Sequence, residues 1–426
     1  MFARYLFAAV VLLTSLCSNA KAQNDQFPSF EAAASAAKDE SREIPAAAQS
    51  PVKKRRPAPT GEAPSNPARS GRAATAKARQ SASAERKIDP NARPVKPKVG
   101  QPDVLKAYAL TKTAESEEAY NEIIELCKSG MQKGVDTKTA VYARKLSGWA
   151  YNRRGESRAD AGQTQDAFDD FDAAAGMDAG QWRAFHNRGV SYAMLGNQAA
   201  AIEDFGRTLE LNPKFANAWF NRGELLYEKR DFAAAVRDYN QALKLAPQDA
   251  VAYNSRGHAL FRLRRSTEAL ADYNKALEID PSSAAAFVNR GDLLADQGNF
   301  AEAAKDYRSA ININPSLGRA YQSAAWLMAT CPEEQFRNAE LAIEAAQKAI
   351  ELDGDTDYRY LETLAAAQAN AGEFEDAIGT QQRAIEIAPA AVAQVYKGRI
   401  EKFRAGRAHR EPAAKLATGS PAASRR

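Results

Sequence analysis

Histidine and cysteine are the side chains best suited to metal binding and nucleophilic chemistry, and the chain has only three of each. His186, His258 and His409 are far apart, with no Cys, Asp or Glu cluster at ligand spacing, so no metal site is expected. Cys17, Cys127 and Cys331 are too few for a disulfide scaffold. No Gly-rich phosphate loop and no Ser or Cys elbow motif occurs. The sequence therefore offers no catalytic residues and no cofactor site, and the expectation is a protein that is not an enzyme.

Arginine and aspartate recur in register instead. Sixteen residues separate Arg154 from Asp170, Arg188 from Asp204, Arg222 from Asp238, Arg256 from Asp272 and Arg290 from Asp306. Where the Arg slot becomes Ala324 or Leu364, the Asp slot becomes Ala346 or Thr380. Presence and absence go together, which favours structural ion pairs over an anion-binding ladder. One residue before each Arg stands Asn187, Asn221, Ser255 or Asn289, with Arg153 earlier and Ser323 and Thr363 later. On a helix this slot turns about 100° from the Arg. It shows no counterpart comparable to the Asp, so it is expected to face neither the hairpin partner nor the stacking core.

The elements that position these residues follow from a fixed period. Gly155, Gly189, Gly223, Gly257 and Gly291 are 34 residues apart, and so are Pro213, Pro247, Pro281 and Pro315. In residues 216–249, Trp219, Gly223 and Leu226 share one helical face, and Ala235, Tyr239, Ala242 and Leu243 share another. Gly223 and Ala235 are small where two helices must approach closely. Pro247, lacking an N–H, ends the second helix. Each hairpin leaves an apolar face that only the next hairpin can cover.

This pattern resembles the tetratricopeptide repeat, a helix–turn–helix unit of 34 residues, across 148–391. The units are 148–181, 182–215, 216–249, 250–283, 284–317, 318–357 and 358–391. The resemblance implies an all-α fold, an α-solenoid of about eight stacked repeats when residues 101–147 are counted as a degenerate first repeat leading into a long helix. It also implies that the slot of Asn187, Asn221, Ser255 and Asn289 faces a concave groove and binds a partner's backbone. The family's neighbouring groove positions fall here on His186, Phe220, Asn254, Tyr227, His258 and Phe261. Amides, aromatics and imidazoles together suit an extended peptide or a partner helix. The alternative is that the amides join one repeat to the next.

The pattern breaks in places. Ala179 replaces the first Pro, and unit 318–357 carries six extra residues around Cys331-Pro332-Glu333-Glu334, with Ala325 in the Gly slot. Residues 392–408 read as a capping helix with Val395, Ile400 and Phe403 apolar, and 409–426 as a disordered basic tail.

The flanks differ from the repeats. Residues 23–100 hold no aromatic after Phe30 and carry 15 basic against 8 acidic side chains, so a disordered Ala/Pro/Lys/Arg-rich linker is expected. Its densest run, Lys53-Lys54-Arg55-Arg56, is either a solvated spacer or a contact to an anionic envelope polymer. Arg4, the apolar run Tyr5–Cys17 and Ala20-Lys21-Ala22 read as a signal peptide over 1–22, with retention as an anchor the alternative. No later segment is apolar enough to span a membrane, so an exported protein, periplasmic or secreted, is expected. Residues 101–396 carry 32 basic and 43 acidic side chains, which argues against nucleic-acid binding. The sequence thus points to an exported scaffold for a protein or peptide partner, or to an envelope factor acting through its basic flanks.

Overall fold

The computed structural model describes residues 100–412, so the expected signal segment, linker residues 23–99 and tail residues 413–426 lie outside the described residues. Among the described residues the regular structure is entirely helical, with 17 α-helices and one short 3₁₀ turn. The fold is an all-α solenoid of helical repeats. Its contacts form two units, meeting between Arg154 and Gly155.

The first unit contains α1 (Gln101–Leu110), α2 (Glu117–Lys133) and the start of α3 (Thr137–Asp160). α1 and α2 pack as a hairpin, and Ser116 caps α2 by accepting from the Ala119 N–H at 3.3 Å. Val104, Ile123, Cys127 and Leu146 are fully buried between the helices.

The second unit continues with α4 (Thr164–Met177) and then runs as hairpins. These pair α5 (Trp182–Met194) with α6 (Gln198–Leu211), α7 (Ala216–Glu228) with α8 (Phe232–Leu245), and α9 (Ala250–Arg262) with α10 (Ser266–Ile279). They continue with α11 (Ala284–Asp296) and α12 (Phe300–Ile313), α13 (Gly318–Thr330) and α14 (Ala339–Asp353), and α15 (Tyr358–Ala371) and α16 (Phe374–Ile387). α17 (Ala390–Arg404) packs on α16.

One hairpin shows how sequence makes this geometry. Asp231 caps α8 by accepting from the Ala234 N–H at 3.0 Å, and Asp249 caps α9 through Ala252 in the same way at 3.0 Å. Tyr239 is wholly buried and packs against Gly223, where an added Cβ would come within 2.8 Å of its ring. Only glycine permits that approach. Helix α8 buries Ala235, Tyr239, Ala242 and Leu243 in the core shared with α7, α9 and α10. Burying a side chain of Leu or aromatic size contributes roughly 1.5–3 kcal/mol.

The first helices of successive hairpins touch one another, from α5 through α7, α9, α11 and α13 to α15. They thereby form one continuous face within the unit. The long connection after α13 includes the 3₁₀ turn Glu334–Phe336, which brings the Phe336 ring to 6.0 Å from Phe300. The extra residues thus cover the α12–α13 edge rather than hang free.

The end of the chain differs from the sequence expectation in two respects. In α17 the buried side chains are Tyr396, Ile400 and Phe403, while Val395 is 58% exposed. The residues from His409 onward were expected to be tail, but the chain turns at Gly406 (φ 67°) and 408–412 run back across the hairpins. The Arg407 N–H bonds to Lys402 O at 2.9 Å and the Gly406 N–H to Phe403 O at 2.9 Å, closing α17 with a Schellman motif. Ala408 then packs beside Ala365, Ala369 and Phe403.

Candidate partner-binding groove

The arginine slots lie between the two helices of each hairpin. In α7, Arg222 Nε donates to Asp238 Oδ2 at 2.7 Å and Nη2 to Oδ1 at 3.0 Å. Arg188 holds Asp204, Arg256 holds Asp272 and Arg290 holds Asp306 in the same two-pronged manner. The four Asp residues are buried, and each guanidinium also lies over an aromatic ring one turn earlier, Phe185, Trp219, Tyr253 or Phe287. At the start of the array, Arg154 donates to Asn121, and Asp170 accepts from Arg158 Nη1 at 3.1 Å.

A third contact was not read from the sequence. Arg188 Nη1 reaches back to Asp172 Oδ1 at 2.7 Å, Arg256 Nη1 to Asn240 Oδ1 at 2.7 Å, and Arg290 Nη1 to Asn274 Oδ1 at 2.8 Å. Each of these Arg side chains therefore ties its own hairpin to the preceding one. The signal was present: a polar residue stands sixteen positions before each of these arginines.

Two of the four slot residues, Asn221 and Asn289, do not face solvent as expected, while Asn187 and Ser255 are partly buried. Asn221 is 0% exposed and Asn289 5%. Because successive first helices touch, each closes over this slot of its neighbour. Asn221 Nδ2 meets His186 Nε2 at 3.2 Å, Asn289 Nδ2 donates to Asn254 Oδ1 at 2.8 Å, and Gln322 Nε2 donates to Thr363 Oγ1 at 2.9 Å. These bonds occur at alternate repeat junctions. At the junctions between them, Phe220 precedes Ser255 and Val288 precedes Ser323 in the same register. The slot does have counterparts, one repeat earlier.

His186 is the most constrained of the candidate residues. Its ring lies 5.6 Å from Phe205 and 4.9 Å from Phe215, and burial pushes its pKa down to about 4. The neutral ring accepts from Asn221 at Nε2, which assigns the proton to Nδ1, facing Asn187 Oδ1 at 3.3 Å. Asn187 Nδ2 donates onward to Glu156 Oε1 at 3.2 Å. The donors form a relay from α7 through α5 to the last turns of α3.

The accessible part of the face is built from other candidates. Phe220 is buried in the hairpin core, but Tyr227, Asn254, Ser255, His258 and Phe261 are each only partly buried. Tyr227 Oη lies 3.2 Å from His258 Nε2 and accepts from Arg262 Nη1 at 3.3 Å. Burial, with the charges of Arg319 and Arg262, pushes the His258 pKa down to about 3, so the ring is neutral and accepts the tyrosine proton. Glu224 accepts from Tyr239 Oη at 2.6 Å, and Asp292 accepts from Tyr307 Oη at 3.0 Å and from Arg319 Nη2 at 2.9 Å. Desolvation raises the Glu224 pKa despite bonds from Tyr239 and Ser255. Tyr273, equivalent to Tyr239 and Tyr307, has a buried hydroxyl with no hydrogen-bond partner among the described residues. Glu224, His258 and Asp292 all directly follow a periodic Gly, the sequence signal that marks this row. The face is thus a half-open surface of alternating carboxylate, imidazole, phenol and guanidinium.

Cys127 and Cys331 are buried and free, and burial pushes the Cys127 thiol up to about 11. Such a thiol is a poor nucleophile at neutral pH. No group of three or more potential metal ligands occurs among the described residues, and no described helix is long and apolar enough to cross a membrane.

Comparison with known proteins agrees with the repeat geometry. A family model of the tetratricopeptide repeat matches residues 188–250 and 254–321. No curated protein matches the chain. Among solved structures, YrrB, described as a TPR protein with an unusual peptide-binding site, is 23% identical, covers 40% of this chain and 88% of its own, and superposes with a TM-score of 0.37. PilF of Pseudomonas aeruginosa is 18% identical over 52% of this chain and 98% of its own, with a TM-score of 0.44. Yeast Tom70 is 14% identical over 74% of this chain and 66% of its own, with a TM-score of 0.41. The 34-residue period, the paired helices and the family match show that residues 188–321 of this chain are tetratricopeptide repeats.

Proposed function

We propose that the chain is a non-catalytic scaffold, exported from the cell that makes it, which holds a protein or peptide partner against the face formed by its first helices. The observation that carries this reading is the row Glu224, Tyr227, His258, Phe261, Asp292 and Arg319, partly exposed on successive helices at repeat spacing. Hydrogen-bonded, ring-stacked side chains are held in place before a partner arrives, which lowers the entropy lost on binding. Tyrosine and arginine are also the side chains that most often dominate interface energetics. Asn221 and Asn289, being buried, contribute by holding the helices in register rather than by touching the partner.

Crosslinking and capture of the full chain from its native cells tests the groove. Replacing Tyr227 and Phe261 by Ala should leave the fold intact and reduce recovery of whatever wild type captures by at least about tenfold. Retained capture, lost instead on deleting residues 45–100, would assign binding to the basic linker and its anionic polymer. The export part of the proposal rests on Arg4, the Tyr5–Cys17 run and Ala20-Lys21-Ala22. The intact mass of native protein should lack residues 1–22, and a soluble cytoplasmic form retaining Met1 would refute export.

A further inference from the structure

The last carbonyls of an α-helix have no partner within it, and buried ones need partners from elsewhere. At the end of α13 they can be followed one by one. Leu327 O accepts from the Cys331 N–H at 3.0 Å, Met328 O from the Asn338 N–H at 3.1 Å, and Cys331 O from Arg337 Nη1 at 3.1 Å. The two that remain, on Ala329 and Thr330, are satisfied by the far end of the chain. Arg410 Nη1 donates to Ala329 O at 3.2 Å, and the Glu411 N–H donates to Thr330 O at 2.9 Å.

The returning segment makes further contacts that a cap alone does not require. Arg410 Nη2 donates to Asn370 Oδ1 on α15 at 2.8 Å, so the guanidinium bridges two first helices. The His409 ring lies 5.8 Å from Trp326, and its Nε2 lies 3.5 Å from Glu411 Oε1. Arg399 of α17 lies over the Trp326 ring at 5.3 Å and adds positive charge near Glu411. Trp326 follows the Ala325 that replaces the periodic Gly, so it occupies the slot of Glu224, His258 and Asp292. The segment therefore lies on the same face as the proposed groove, non-helical, held by backbone and side-chain bonds.

We infer that the face of α13 and α15 is a peptide-binding site for an extended Arg-Glu segment, and that the chain's own His409-Arg410-Glu411 fills it in cis. The recognition chemistry is specific at two positions. A cation is drawn to the carbonyl end of α13, where the helix dipole is negative, and a planar guanidinium can reach Ala329 O and Asn370 together. The following residue supplies an N–H to Thr330 O, and its acidic side chain sits in the positive field of Arg399. Partners of the proposed scaffold would then meet an open groove on α7–α11 and a closed one on α13–α15. This inference rests on reading the first-helix face as the groove, but its test is separate.

The probe is a fluorescein-labelled peptide with the sequence of residues 405–412, its binding read by fluorescence anisotropy on the full-length protein. The cis segment competes as an intramolecular ligand at high effective concentration, so wild type should bind the probe weakly. The full-length variant carrying Arg410→Ala and Glu411→Ala should bind it at least about tenfold more tightly. A probe with Ala at the Arg and Glu positions should bind neither. Equal binding of the probe to wild type and variant would overturn occupancy in cis. No binding to a folded variant would show that the segment is only a cap for α13, and would overturn the site. If the double variant fails to fold, Glu411→Ala alone, which leaves both Arg410 bonds, should still gain at least about threefold. No gain there overturns the inference. Tyr227→Ala with Phe261→Ala should leave probe binding unchanged, so failure of the α7–α11 groove and failure of this site are distinguishable.

Discussion

Arg222 Nη1 lies 3.8 Å from the point where a side chain on Gly206 would begin. In the equivalent places Arg188, Arg256 and Arg290 each reach a side-chain oxygen of the preceding hairpin, on Asp172, Asn240 and Asn274. Gly206 lies inside α6, so Arg222 lacks this third contact and the helix carries a flexible residue. Gly206→Asn should therefore stabilise the protein by about 1 kcal/mol, part from helix propensity and part from the new bond. Chemical denaturation should show a higher midpoint with unchanged slope. A lower midpoint would mean that the α6–α7 junction has no room for the amide.

The Arg222–Asp238 pair should behave as one unit. Asp238→Ala leaves a partly buried guanidinium without its two charge-assisted bonds and should cost about 3 kcal/mol. Arg222→Ala should cost a similar amount by stranding the buried carboxylate. The double variant should be much less destabilised than the sum of the two, which a double-mutant cycle in denaturant measures. Additive losses would show that the two residues act through separate contacts.

Asn289→Ala tests the junction bonds. It strands Asn254 Oδ1, which accepts from Asn289 at 2.8 Å, and removes a buried amide whose own oxygen has no hydrogen-bond partner among the described residues. The expected loss is about 1–2 kcal/mol, larger than for an exposed amide and visible as a lower melting temperature. Unchanged melting would show that the amide contributes nothing to holding α9 and α11 together.

His186 gives the fold an acid-side pH dependence. Its folded pKa, about 4, is depressed below the ordinary 6.5, so the unfolded chain binds the proton first as pH falls. Its contribution to stability is complete above about pH 6.5 and is lost progressively down to about pH 4, on the order of 3 kcal/mol in all. His186→Gln should flatten the stability profile across that window. An equally steep profile in the variant would assign the loss to other groups.

The sequence carried the all-α solenoid in its 34-residue spacing, because close helix packing demands glycine at the contact and successive hairpins end beside a proline. Arg222 and Asp238 were legible because loss of one partner accompanied loss of the other along the repeats. The two buried members of the Asn slot were misplaced for a related reason. Asn221 and Asn289 pair with His186 and Asn254 one repeat earlier, and a search within single hairpins does not meet them. Glu224, His258 and Asp292 differ in chemistry, so only their shared position after the periodic Gly connects them. The docking of Arg410 had no periodic signal at all, since it depends on a one-time return of the chain.

Repeat arrays are held together by nearest neighbours, so their ends fray before their middles. The bond from Arg410 to Ala329 O spans 81 residues and breaks that rule. It clasps the terminal hairpin to the one before it, and α15, α16 and α17 cannot peel away singly without first releasing the clasp. Unfolding from this end then becomes one cooperative event over several helices. Hydrogen exchange in α13 and α17 should report the same opening free energy, while the clasp lengthens the time for which the C-terminal repeats resist proteolysis.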